Sequence, residues 1–179
     1  AQISLSNLEY NLKNIKSAIT GDTEIMAVVK ADAYGHGEKE ILSRLNVAGI
    51  KYFAVSNLDE AMSVREVCPE GEILILGYTS PEYADELISN NIIQCIVSEE
   101  YASELDKAAP SPVRCHIKLD TGMGRIGFIP SASAKEEIKE IFSLPFIEVE
   151  GIFTHFATAD ESDKTAACGQ AELFESFVD

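Results

Sequence analysis

The chain has 179 residues, enough for one ordinary domain with a sizeable core. Its 14 basic and 30 acidic residues leave a net charge of −16, a surface that repels nucleic-acid phosphates and anionic membranes. No apolar run approaches the roughly 20 residues needed to span a bilayer, and no signal peptide is visible after Ala1.

In chain order, Ile3-Ser4-Leu5 reads as the tail of a short strand. Leu8, Leu12, Ile15 and Ile19 then recur at helical spacing, with Ser6 or Asn7 as the cap and Gly21 as the stop. An apolar run containing Ile25, Val28 and Val29 forms a strand that ends at Lys30. A polar, glycine-bearing turn leads into a helix striped by Ile41, Leu42, Leu45 and Ala48 and closed by Gly49. The alternation continues with a strand at 52–55, an N-x-x-E helix start at Asn57–Glu60, and a strand at 73–76. Ser80-Pro81 opens a helix to about Ser89, a strand follows at 92–97, and Ser98 caps the next helix. Strands at 113–119 and 149–153 flank a helix that a Ser133-x-x-Glu136 box starts, and a last helix begins near Asp163.

About six strand–helix units without an interior linker predict a parallel α/β sheet. A closed (β/α)₈ barrel needs eight units and about 250 residues, so part of a longer polypeptide is expected. Cys68, Cys95, Cys115 and Cys168 form no CxxC, and no metal-ligand spacing is present. Free thiols in apolar runs fit a reducing, cytoplasmic setting.

Three stretches carry chemistry. Lys30 stands at a strand's carboxyl end, where ligands collect in parallel α/β folds. Apolar neighbours would strip water from its ammonium and favour a neutral, nucleophilic amine, which captures aldehydes such as pyridoxal phosphate. The plain alternative is a lysine snorkelling into solvent. Alternation along Arg114–Asp120 sends His116, Lys118 and Asp120 to one face, either a solvated functional mouth or a set of structural ion pairs. Gly122-Met123-Gly124-Arg125-Ile126-Gly127 matches GxGxxG, yet Phe128-Ile129-Pro130 intervenes before any helix, which argues against a dinucleotide site. His155, after Gly-Ile-Phe-Thr, reads by itself as a core residue, and His36 as a surface histidine in a turn.

The stretches VVKADAYGHG (28–37), HIKLDTGMGRIGF (116–128) and GIFTHFATADE (151–161) resemble, in order, three motifs of the bacterial alanine racemase family. The resemblance implies a pyridoxal-phosphate TIM-type barrel, here incomplete, of which residues 1–179 are the N-terminal part, followed by a β-rich domain. It implies Lys30 as Schiff-base lysine and catalytic base, Tyr34 on the cofactor phosphate, Leu76 as a wall against the ring, and His155 against the pyridine. It places Arg125 on the phenolic oxygen and, with Met123, near the substrate, and makes Lys118 a candidate for carbamylation beside Arg125. The second base would be a tyrosine from a partner subunit of a homodimer. The implied reaction is interconversion of L- and D-alanine, supplying D-alanine for peptidoglycan. A serine racemase, a non-enzymatic pyridoxal-phosphate barrel and a ligand-free half-barrel are the alternatives.

Overall fold

The structure, a computed structural model, describes residues 2–179. The chain divides into two compact units. The first runs to Gly77 and includes Asn90–Ile93; the second comprises Tyr78–Ser89 and Gln94–Asp179.

In the first unit the order is α1 (Leu5–Ala18), β1 (Met26–Val28), α2 (Lys30–Gly35), α3 (Glu38–Val47), β2 (Tyr52–Val55), α4 (Leu58–Val67) and β3 (Glu72–Ile75). β1 pairs with β2 and β2 with β3, all parallel, with Val28 opposite Ala54 and Val55 opposite Ile75. The exits of consecutive parallel strands therefore share one edge, which is where Lys30, Ser56 and Leu76 follow their strands. Phe53, Ala54 and Val55 on β2 and Ile73, Leu74 and Ile75 on β3 are all buried, as befits strands covered on both faces. β1 is less covered, and Val28 is 43% exposed.

The expected strand at Ile3–Leu5 is replaced by the start of α1, because the Ser4 side chain accepts from Asn7 N–H and caps the helix two residues earlier than expected. α1 also ends before Gly21, at Ala18. Arg65, late in α4, donates to the carbonyls of Cys68, Pro69 and Gly71 and to those of Asn90 and Asn91, just ahead of the next strand.

β4 (Ile92–Ile96) leads into the second unit at Gln94, where it pairs with β5 (Val113–Lys118), and β5 with β6 (Ile147–Phe153), again parallel. The helices of this unit are α5 (Ala84–Ser89), entered by a 3₁₀ turn at Pro81–Tyr83, α6 (Glu99–Ala108), α7 (Ala132–Ile141) and α8 (Thr165–Val178). Ser98 caps α6 as expected, accepting from Tyr101 N–H. α7 is capped by Ser131 rather than Ser133: the Ser131 hydroxyl, not its neighbour's, reaches Ala134 N–H. Asp163 lies outside α8 and accepts from both N–H and hydroxyl of Thr165, which sets the helix start two residues later. The core of this unit gathers Cys95, Ile96, Leu105, Cys115, Ile117, Leu119 and Ile141. Among the described residues no helix is long and apolar enough to cross a membrane.

Candidate functional site

Two groups of residues stand at strand exits, one in each unit. In the first unit, Val29 N–H still reaches Ala54 carbonyl, so the ladder holds to the residue before Lys30. The chain then does something that no alternation or propensity suggested. Ala31, Asp32, Ala33 and Tyr34 have φ of 52°, 54°, 51° and 55° with ψ between 37° and 54°, one turn of left-handed helix. For L-residues that hand costs about 1–2 kcal/mol each, so four in succession hold about 4–8 kcal/mol of strain.

What holds the turn can be named. Ala33 N–H bonds Val29 carbonyl, and Gly37 N–H bonds Asp32 carbonyl. The Asp32 carboxylate accepts from Glu38 N–H at 2.7 Å, tying the turn to α3. His36 Nδ1 lies 2.8 Å from Ala33 carbonyl, a contact made by the Nδ1–H form, so the turn histidine locks its own backbone. Glu60 Oε1 accepts from Ala31 N–H at 2.9 Å, while Oε2 accepts from Ser56 N–H and hydroxyl. Burial raises the Glu60 carboxyl, but hydrogen bonds from Ser56 and Ala31 and the nearby Lys30 charge together bring it below its ordinary value.

The turn leaves Lys30 half-buried at the mouth, with Nζ 6.0 Å from the Tyr34 ring centroid. Tyr34 itself is 59% exposed. Leu76 is half-buried, one residue past β3.

In the second unit the exit of β5 is buried, which sets aside the solvated mouth, one of the two readings the alternation left open. Lys118 is 3% exposed and Asp120 8%. The Lys118 ammonium donates to Leu119 carbonyl and lies 5.5 Å from the centre of the Phe153 ring. Burial, opposed by Asp120 and reinforced by Arg125, holds the Lys118 ammonium below the ordinary lysine range. Asp120 is not a simple ion-pair partner. Oδ1 accepts from Gly122 and Gly124 N–H at 3.0 and 2.9 Å, and Oδ2 from Arg125 N–H at 2.7 Å. Those bonds, Gly124 first, keep its carboxyl below the usual range.

The glycine turn closes where Phe128 and the 118–120 backbone exchange hydrogen bonds. At Gly127, φ is 112° and a Cβ would lie 2.5 Å from Lys118 carbonyl oxygen, so only glycine fits. No helix opens inside the glycines, as expected, and Arg125 projects exposed from the turn with Met123 half-buried beside it in sequence.

His155 is exposed, two residues past β6. Its loop is clamped by Gln170 on α8, which sequence reading passed over. Gln170 Nε2 donates to His155 carbonyl and to Thr121 hydroxyl, and its Oε1 accepts from Ala157 N–H. Thr154 hydroxyl donates to Leu119 carbonyl at 3.0 Å, so Thr121 must donate to Thr154 at 2.8 Å. One buried amide thus joins the His155 loop to the turn that carries Arg125. Its signal in the sequence was a lone polar residue on the inner face of the last helix. Among the described residues no cluster of His, Cys, Asp or Glu could hold a metal ion.

The chain matches the family model for the alanine racemase N-terminal domain over residues 3–179. The alanine racemase of Clostridium kluyveri is 44% identical over 99% of this chain and 47% of its own length. Among solved structures, alanine racemase from Clostridium difficile 630 superimposes with a TM-score of 0.90 at 39% identity, covering 97% of this chain and 46% of that one. A histidine racemase from Leuconostoc mesenteroides gives a TM-score of 0.89 at 31% identity, covering 97% and 47%. The chain thus spans about half the length of the relatives it matches. The fold class is the expected one, α/β with six parallel strands alternating with helices, an incomplete barrel.

Proposed function

The chain belongs to the alanine racemase family, and on that premise we propose that the whole protein interconverts L- and D-alanine with pyridoxal phosphate as cofactor. The observation that carries the reading is Lys30: an amine at a parallel-strand exit, seated on a strained left-handed turn that also presents the Tyr34 hydroxyl. The donor set fits the cofactor, with an amine for its aldehyde and a phenolic hydroxyl for its phosphate in one unit, and a guanidinium and an imidazole exposed in the other. Pyridoxal phosphate, when bound, supplies a carbonyl that condenses with amines and a conjugated ring that withdraws electrons from the substrate α-carbon.

Each residue then has work suited to its chemistry. Lys30 would hold the group through Nζ and carry the α-proton at the same atom. Tyr34 would donate to phosphate and Leu76 would present an apolar wall. Arg125 would offer its planar fork to the phenolic oxygen and the substrate carboxylate, Met123 would lie along the substrate, and His155 would face the pyridine. The burial of Lys118 supports carbamylation there, because carbon dioxide adds to a neutral amine, and the resulting anion would draw the Arg125 guanidinium. Racemisation needs a base on each face of the α-carbon. Lys30 would serve one face, and by the family resemblance a tyrosine from the partner subunit of a homodimer would serve the other. On this reading residues 1–179 are the N-terminal barrel part, and the enzyme works in the cytoplasm, providing D-alanine for the cell wall.

Alanine as the substrate is supported by likeness to named alanine racemases, 44% identical in the case of Clostridium kluyveri. The test is borohydride reduction of the full-length protein with pyridoxal phosphate, followed by peptide mapping, beside racemisation assays on alanine, serine and histidine. A pyridoxyl group on Lys30 and fastest turnover of alanine are expected. Label on another lysine, undiminished in Lys30→Ala, refutes the assignment.

A further inference from the structure

We infer that Glu60 is a positioning residue for Lys30, acting through the left-handed turn that follows it. The inference rests on the proposed role of Lys30 and adds the group that holds that lysine in place.

Glu60 occupies the third position of α4, where a glutamate ordinarily folds back to its own N-cap N–H. Half of that arrangement is present, since Glu60 N–H donates to the Asn57 side chain at 3.0 Å. The carboxylate, however, goes elsewhere. Oε2 is fixed by Ser56 N–H at 2.8 Å and Ser56 hydroxyl at 2.7 Å, which anchors it to the exit of β2. Oε1 is thereby aimed at Ala31 N–H, 2.9 Å away. Ala31 is bonded to Lys30 through that same peptide and is the first of the four left-handed residues. That N–H lies in the Lys30–Ala31 peptide, so the Glu60 bond fixes the plane from which the strained left-handed residues set out. The lysine side chain departs one atom away from the peptide so held, and Glu60 supplies a negative charge near its ammonium as well.

Two acceptor oxygens are needed for this, one for each partner. Glutamine has one, so Glu60→Gln must release either Ala31 or Ser56. A glycine at position 31 would relieve the left-handed strain that Glu60 opposes. If Glu60 acts by holding the turn, Ala31→Gly should therefore repair its loss, whereas it would do nothing for a generally loosened structure.

The experiment uses the full-length protein as wild type, Glu60→Ala, Glu60→Gln, and Glu60→Ala combined with Ala31→Gly. In cofactor-free protein, amide exchange is followed at Ala31–Tyr34; after pyridoxal phosphate is added, the rate at which borohydride traps it on Lys30 is measured. Loss of a hydrogen bond to a charged group is expected to slow trapping by about tenfold to a hundredfold in Glu60→Ala. Glu60→Gln should fall between it and wild type, and the double variant should recover most of the loss. Exchange at Ala31 should quicken in parallel, and kcat for alanine should fall with KM little changed. Equal trapping rates in wild type and Glu60→Ala, or no recovery in the double variant, overturn the inference. Should Glu60→Ala fail to fold, Glu60→Gln decides alone, and a wild-type trapping rate there with quickened exchange at Ala31, or slowed trapping with Ala31 exchange unchanged, overturns it. If wild-type Lys30 traps no cofactor, the functional reading falls and this inference with it; if it traps normally in every variant, only this inference falls.

Discussion

The Asp120 carboxylate offers the sharpest quantitative check on the second group of residues. It accepts three backbone N–H bonds from the glycine turn, at 3.0, 2.9 and 2.7 Å. Hydrogen bonds to a charged acceptor contribute about 1.5–3 kcal/mol each, and bonds to one carboxylate are not additive. In Asp120→Asn the amide oxygen can keep Gly122 and Gly124, but the amide nitrogen must face Arg125 N–H, donor against donor. One charge-assisted bond is lost outright, and a cost of about 2 kcal/mol is expected. Asp120→Ala abandons all three donors at a buried position, and about 3–4 kcal/mol is expected. The dependence on pH follows from the lowered carboxyl. A group whose folded value lies below its unfolded value, about 3.9, contributes fully above that pH and loses its contribution as pH falls through the folded value. Asp120→Asn should therefore differ most from wild type near neutrality and converge with it in acid. Urea midpoints between pH 2.5 and 7, with amide exchange at Gly122, Gly124 and Arg125, measure both. Unchanged exchange at those amides in Asp120→Ala, or a stability gap that widens toward acid, would refute the reasoning.

Gly127→Ala should be worse than either, because its methyl would meet the Lys118 carbonyl oxygen at 2.5 Å in a backbone region closed to other residues; a loss above about 4 kcal/mol in urea unfolding checks this. Lys118 should carry a carbamate in crystals of the full-length protein grown near neutral pH, visible as extra density beyond Nζ, and a bare ammonium there would refute it. Cys168, the exposed thiol among the four, should react alone with a bulky alkylating reagent in the native protein. Burial pushes the Cys95 thiol up to about 12, and Cys115 is raised by burial too, so labelling of either before unfolding contradicts the core described above. Gln170→Ala should raise amide exchange at Ala157 with a loss of about 1–3 kcal/mol, since it strips a buried clamp of three partners.

The alternation of strands and helices was legible because buried parallel strands are runs of β-branched and apolar residues, and Ser98 and Asn57 announce their helices by chemistry that acts within three residues. Caps were misread at Ser4 and Ser131, where neighbouring serines offer the same oxygen and only geometry decides between them. Lys30 was legible through its motif. The left-handed turn after it was not. Alanine carries no preference for that hand, and the turn exists because Glu60, Asp32 and His36 hold it through contacts up to 29 residues distant. Lys118 and Asp120 were found as residues, but alternation left open whether they faced a solvated mouth or formed structural ion pairs. Alternation reports a face, not what covers it, and the three N–H groups that occupy Asp120 arrive only when the glycine turn folds back.

Arg65 has a consequence for the order in which the chain assembles. Three of its carbonyl partners lie within six residues of it, and two lie 25 and 26 residues later. Local loops close at less entropic cost than distant ones and close first. The guanidinium is thus oriented by residues 68–71 through shorter closures than the one that brings residues 90 and 91 to it, and waits as a ready socket for them. Asn90 and Asn91 immediately precede β4, with Asn91 itself at φ 51°. A one-residue slip at that entrance would turn every β4 side chain to the opposite face. The socket therefore works as an assembly jig, setting the phase of β4 as that strand docks.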